Sequence, residues 1–206
     1  GTTIVSETPE GKKGMVFNTK YAILAVDIKA TPNARQTSVH EGSNDQGMTF
    51  STLAFFDNAS PKINSDSNKV LSVMDLGAWA LGNFQNVAQV KQALQNKEVN
   101  IWLPKLPILN NLEAPLHFAL FDKSGAGIVI EFTKGQTMVY DNPVGVMTNT
   151  PDFPWHLENL NNYAQLSNID HNSGKFNNLN VNAPDSGNAL AGVPSSQISS
   201  GRFVKA

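Results

Sequence analysis

The residue best placed by its surroundings to do chemistry is Asn149. It ends an apolar, strand-like run, Val144 to Thr148, within the stretch Asp141 to Tyr163, DNPVGVMTNTPDFPWHLENLNNY. Thr150-Pro151 follows at once, and proline donates no backbone hydrogen bond and restricts the residue before it, so regular structure stops there. A carboxamide left at a strand end carries two N–H donors, which suits it to hold the oxyanion formed when an amide carbonyl is attacked. The competing role is a turn cap, which Asn-Thr-Pro can serve by itself.

The wider stretch tips the balance. VGVMTNTPDFPWHLENLNNY resembles the signature of the choloylglycine hydrolase family, which holds conjugated bile acid hydrolases and penicillin V acylases. LHFALFDKSGAGIVIEF (Leu116 to Phe132) resembles the family's paired central strands, and GSNDQGMTFSTLAFF (Gly42 to Phe56) its Asn-Glu-Lys-Gly strand entry. GVPSSQISSGRFVKA (Gly192 to Ala206) resembles the stretch with the family's late arginine, here Arg202, and Thr2-Thr3-Ile4-Val5 resembles the mature N-terminus.

The resemblance implies an α+β fold, the four-layer αββα sandwich of N-terminal nucleophile hydrolases, and hydrolysis of linear amide C–N bonds. In that chemistry the thiol of the first residue attacks the amide carbon while its own α-amine handles the proton. Asn149 takes the part of oxyanion donor and Arg202 that of a member of the active-site charge network. Ala54 stands at the second oxyanion position, where only its backbone N–H is on offer. Phe55, Phe56 and Trp155 are the candidate walls of an apolar acyl pocket, though each suits a core equally well. The implied substrate is a small acyl amide, a conjugated bile salt or a penicillin V-type amide, with no cofactor and a homo-oligomer, a tetramer as in the family.

Three departures qualify the match. Position 1 is Gly where the family has Cys. The family's Arg-x-x-Asp/Glu pair has no counterpart between Gly11 and Lys12, and Ala54 lacks the side chain usual at its position. The chain also ends soon after the arginine motif, so the reading expects a sequence incomplete after residues 11 and 206, and inactive as it stands. Two hypotheses remain open: an amidase whose nucleophile is replaced, or an inactive relative that binds acyl amides. Thr2 as a terminal nucleophile is disfavoured, since neighbouring side chains on a strand point to opposite faces.

Composition is consistent with one ordinary domain spanning 1–206: 206 residues, 40% hydrophobic, with a net charge of −2. Charged residues are only 16% and no basic run occurs, which argues against nucleic acid or an anionic membrane surface as partner. No stretch has the length of a membrane span and no signal peptide is recognised. The absence of cysteine excludes disulfides, thiolate metal sites and a cysteine nucleophile within these residues. His117 and His156 lack a second ligand at metal spacing and read as packed residues, His40 and His171 as loop residues, and Asp152 with Glu158 as a cap and a surface group. A free N-terminus points to a periplasmic or secreted protein, with the cytoplasm as alternative.

The elements that must position these groups follow from periodicity. Strands are expected at Thr2 to Glu7, Tyr21 to Ile28 and Met48 to Phe56. Helices are expected from Val70 to Phe84 and Val87 to Leu94, broken at Asn83 or Asn86, with Trp79 in the core. Strands follow at Leu116 to Asp122, Gly127 to Thr133, Thr137 to Tyr140 and Val144 to Thr148, with Gly125 and Gly135 at the turns. Pro154 to Leu166 suits a short helix, and Asn168 to Ser200 a long surface excursion.

Overall fold

Short apolar runs punctuated by glycine turns give more strands than helices among the described residues before Pro151. The computed structural model describes residues 1–29, 37–63 and 66–206, in two compact units, Gly1–Thr150 and Pro151–Ala206. The first unit begins with strands β1 (Thr3–Glu7), β2 (Lys13–Asn18), β3 (Ile23–Lys29), β4 (Thr37–Asn44), β5 (Thr49–Ala54) and β6 (Val70–Ser72). Helices α1 (Leu76–Asn83) and α2 (Val87–Gln95) come next. It closes with β7 (Asn100–Trp102), β8 (Lys105–Leu106), β9 (Leu112–Glu113), β10 (Leu116–Phe121), β11 (Gly127–Thr133) and β12 (Gln136–Asp141).

Six of these strands form one antiparallel sheet in the order β12-β11-β10-β5-β4-β3. Gly125 (φ 85°) and Gly135 (φ 70°) take the left-handed conformation that the β10–β11 and β11–β12 turns require. One face buries Phe50, Phe118, Leu120, Ile128, Ile130 and Phe132 with Leu76, Ala80, Val90 and Leu94 of the helices. A methyl group at Gly77 would overlap Val39 and Phe50, so glycine is what lets α1 lie this close to the sheet. Trp79 is core as expected, edge-on to Phe84 at 4.8 Å. Among the described residues the layering is one helical layer on this sheet, with the remaining strands in two-stranded pairs.

Two expected elements are corrected. The helix read from Val70 begins only at Leu76, because Val70-Leu71-Ser72 is a fully buried strand pairing parallel with β7. Its apolar residues are buried on all sides, which a helical period cannot be told from over so short a run. The strand read at Val144 to Thr148 is not formed. Asn142 Oδ1 accepts the N–H groups of Val144 (3.2 Å) and Gly145 (2.9 Å), and its Nδ2 donates to Val146 O at 3.0 Å. That side chain takes the backbone bonds a ladder would need. His40, read as a loop residue, lies in β4. Of the two candidate breaks between the helices, Asn86 is the cap, accepting from Gln89 N–H at 3.0 Å.

In the second unit, α3 (Phe153–Asn159) starts where Asp152 accepts from Trp155 N–H at 3.2 Å. A hairpin follows, β13 (Ser173–Phe176) with β14 (Leu179–Asn182), and then α4 (Ser199–Lys205). Phe203 stacks on His156 at 4.4 Å and meets Phe153 edge-on. Asp170 ties the excursion between these helices, accepting from Gly187 N–H and Ala189 N–H, both at 2.7 Å. Those two backbone donors, Gly187 first, hold its carboxyl below the ordinary carboxylate range. A lowered folded pKa means the tie is complete above the unfolded value and is lost as pH falls through the folded one. The protection of the Gly187 and Ala189 amides relative to their intrinsic exchange rates is therefore expected to be lost as pH falls through the lowered Asp170 pKa and to stay constant near neutrality. Asp170→Asn, with one acceptor oxygen in place of two, is expected to lower that protection at neutral pH as well.

Candidate functional site

Where β5 ends, Phe55 N–H donates to Pro115 O at 2.7 Å. Antiparallel neighbours alternate between pairs that exchange both backbone bonds and pairs that exchange none. Ala54, one residue earlier, therefore points both its N–H and its C=O away from β10. Asn149 occupies that side, its Nδ2 donating to Ala54 O at 3.0 Å. The next residue adds a second tie, Phe56 N–H donating to Thr150 Oγ1 at 3.1 Å. Two segments 95 residues apart in sequence are thus stitched together at a half-buried spot. A side-chain amide lies there beside a strand-end backbone N–H, the donor types an oxyanion needs.

Beneath this spot lies a buried polar pair. His117, just before Phe118 of the Phe118–Ile130 pair, faces Glu131 across β10 and β11. Its Nδ1 is 3.1 Å from Glu131 Oε1 and its Nε2 is 3.0 Å from Thr148 O, with both side chains fully buried. The imidazole also lies flat on Phe55, with ring centres 4.9 Å apart and planes at 7°. A carbonyl oxygen only accepts, so Nε2 carries a hydrogen.

The other expected site residues are placed as follows. Phe55 is fully buried, so it is a packing residue under the site and not an exposed wall, whereas Phe56 is 64% exposed. Trp155 (on α3) and Arg202 (on α4) belong to the second unit, where Arg202 Nε donates to Gln197 O at 3.1 Å. Gly1 lies two residues before β1. Its neighbour Thr2 exchanges hydrogen bonds with Thr19, both at 2.9 Å, and Thr19 packs against Gly82 at the C-terminal end of α1. That end of α1 adjoins Asn44, whose Nδ2 donates to Leu81 O and Phe84 O, so Gly1 sits by the turn that leads into β5. Ala54 is at the other end of β5, about 17 Å away along the strand. Gly1 opens onto a cleft of about 1040 Å³ along β3 and β4, lined by Ile23, Ala25 and Val39; neither Ala54 nor Asn149 lines it. A Cβ at Gly1 would overlap the Thr19 carbonyl oxygen.

Sequence reasoning missed Thr150, Thr148 and Glu131 altogether and took His117 for simple packing. A usable signal was present: a His and a Glu on adjacent strands of one hairpin, each among apolar residues. A buried carboxylate there needs a partner across the ladder. Among the described residues no group of three or more His, Cys, Asp or Glu is arranged to hold a metal ion. Among them, too, no helix is long and apolar enough to cross a membrane.

Residues 5–206 match the family model of linear amide C–N hydrolases, choloylglycine hydrolase family. A bile salt hydrolase/transferase of Clostridium perfringens is 32% identical over 191 residues, which cover 92% of this chain and 56% of that protein. The bile salt hydrolase/transferase of Lactiplantibacillus plantarum is 35% identical, over 90% of this chain and 55% of its own length. The chain thus spans about half the length of these curated relatives. The crystal structure of a conjugated bile acid hydrolase variant from Clostridium perfringens superimposes with a TM-score of 0.78 at 29% identity, covering 97% of this chain and 58% of that one. Penicillin V acylase from Agrobacterium tumefaciens shares the fold, with a TM-score of 0.72 at 20% identity over 99% of this chain and 52% of that one. The mixed α+β fold is theirs, and the chain belongs to the choloylglycine hydrolase family of linear amide C–N hydrolases.

Proposed function

We propose that this chain carries the oxyanion-donor part of an amidase acting on conjugated bile salts or penicillin V-type acyl amides. One observation carries the reading: Asn149 Nδ2 lies 3.0 Å from Ala54 O, on the side of β5 to which Ala54 N–H also points. Attack on an amide carbon moves negative charge onto the carbonyl oxygen. Two donors fixed in advance, Asn149 Nδ2–H and Ala54 N–H, stabilise that charge more than the neutral ground state. Phe56 flanks the acyl group on the strength of the family resemblance, which also supports the four-layer αββα sandwich, assembly as a homo-oligomer and export from the cytoplasm. The roles of Arg202 and Trp155 stay what that resemblance implies. The apolar outer side chains of β3, Leu24 and Val26, 80% and 63% exposed, are what a second sheet layer would cover.

The attacking thiol comes from none of these 206 residues, which include no cysteine. The chain by itself is expected not to turn over amides. Gly1→Cys alone is expected not to change this, because the new side chain overlaps the Thr19 carbonyl oxygen. A second reading, a relative that binds acyl amides without hydrolysing them, is favoured by the glycine at position 1. A hydrolysis panel separates the two. The full-length encoded protein is assayed beside this chain on a glycine-conjugated bile salt and a phenoxyacetyl amide. Turnover of either substrate by the encoded protein supports the amidase. Binding without turnover supports the second reading.

A further inference from the structure

We infer that His117, held by Glu131, is the positioning residue that sets the two oxyanion donors against each other, an inference that rests on the amidase reading. One imidazole touches the residue just before Asn149 and the residue just after Ala54. Its Nε2–H holds Thr148 O at 3.0 Å and its face covers Phe55, with ring centres 4.9 Å apart. These are the two chain segments whose alignment fixes where Asn149 Nδ2 and Ala54 N–H converge. The ring is itself fixed on the opposite edge, Nδ1 to Glu131 Oε1 at 3.1 Å, with both side chains fully buried.

Burial makes the arrangement stiff. Rotating the ring would give up its bonds to Thr148 O and Glu131 Oε1, both at buried residues. His117 touches no substrate in this scheme. It acts through the geometry of Asn149 and Ala54, so its loss is expected in kcat and not in KM.

Two substitutions split the contacts. The amide nitrogen of His117→Gln reaches the place of Nε2, which keeps the Thr148 bond and gives up Glu131. That of His117→Asn reaches the place of Nδ1, which keeps Glu131 and gives up Thr148. A role in packing alone makes activity follow stability, so the Asn variant would be both the more stable and the more active. Positioning makes the two orders cross. His117→Asn is expected to be the more stable and yet to lose about ten- to a hundredfold in kcat, with KM within about twofold. His117→Gln is expected to be less stable and to keep kcat within a few-fold.

The readout is kcat and KM of the full-length encoded protein, with urea unfolding of each variant. In parallel, the side-chain amide resonances of Asn149 are followed by nitrogen-15 NMR in this chain. Equal kcat in the two variants, a loss confined to KM, or unmoved Asn149 resonances in His117→Asn overturns the inference. Should a variant not fold, Glu131→Gln, whose amide can donate to Nδ1, replaces it; kcat within about threefold and unmoved Asn149 resonances support the inference, and a tenfold loss overturns it. If the encoded protein hydrolyses neither substrate, the amidase reading fails by itself. The Asn149 resonances still decide whether His117 sets that side chain: displaced in His117→Asn alone they support it, and displaced in both variants or in neither they overturn it.

Discussion

Asn149→Ala in the full-length encoded protein is expected to lower kcat for amide hydrolysis roughly 10²–10³-fold, the usual loss for one oxyanion donor. The bond from Nδ2 to Ala54 O at 3.0 Å fixes the rotamer, so the donor is aimed before substrate arrives and no reorganisation is needed during reaction. The side chain is half-buried, and the bond it gives up to Ala54 O is worth about 1 kcal/mol. Circular dichroism and urea midpoints should therefore stay close to the parent while kcat collapses. KM should change little, because the lost interaction belongs to the transition state. Asn149→Asp, which puts an acceptor and a negative charge where a donor is needed, is expected to be at least as damaging.

The second large effect falls on stability. His117→Leu removes the ring from a fully buried Glu131 and takes the donor from Thr148 O. Breaking a buried pair on one side costs about 3–5 kcal/mol, because a carboxyl group stays behind in an apolar interior. For a chain of this size that corresponds to a fall in melting temperature on the order of 10 °C. The double substitution His117→Leu with Glu131→Leu should recover much of the loss, since replacing both members of a buried pair by apolar groups is often close to neutral. Thermal unfolding of the four proteins gives the coupling directly. A double variant no better than His117→Leu would show that the pair is not what holds this part of the sheet.

Much of the frame was legible. The runs Leu116 to Asp122 and Gly127 to Thr133 with Gly125 between them lie within a residue of β10 and β11, because hairpin turn chemistry is local. Helix α2 was equally plain, while the choice of Asn86 over Asn83 as its cap came only with the structure. Asn149 was singled out by Thr150-Pro151 and by the family signature, and its bond to Ala54 O came only with the structure. What failed was decided by contacts a string does not carry. Val144 to Thr148 is apolar enough for a strand, but the Asn142 side chain captures its backbone. Val70 to Ser72 belongs to a parallel pair with β7, whose partner is thirty residues away. The His117–Glu131 pair depends on cross-strand register, and Phe55 could not be told from a pocket wall until the ring lying on it was known. Gly1 was grouped with Asn149 by resemblance alone, and the contacts that fix its strand are those of β1 with β2.

The most direct test is a crystal structure of the full-length encoded protein with a bound, slowly turned-over acyl amide. The amide carbonyl oxygen is expected within about 2.7–3.1 Å of both Asn149 Nδ2 and Ala54 N. An amide bound with its carbonyl turned away from Asn149, or held at a different end of β5, would contradict the assignment of this site.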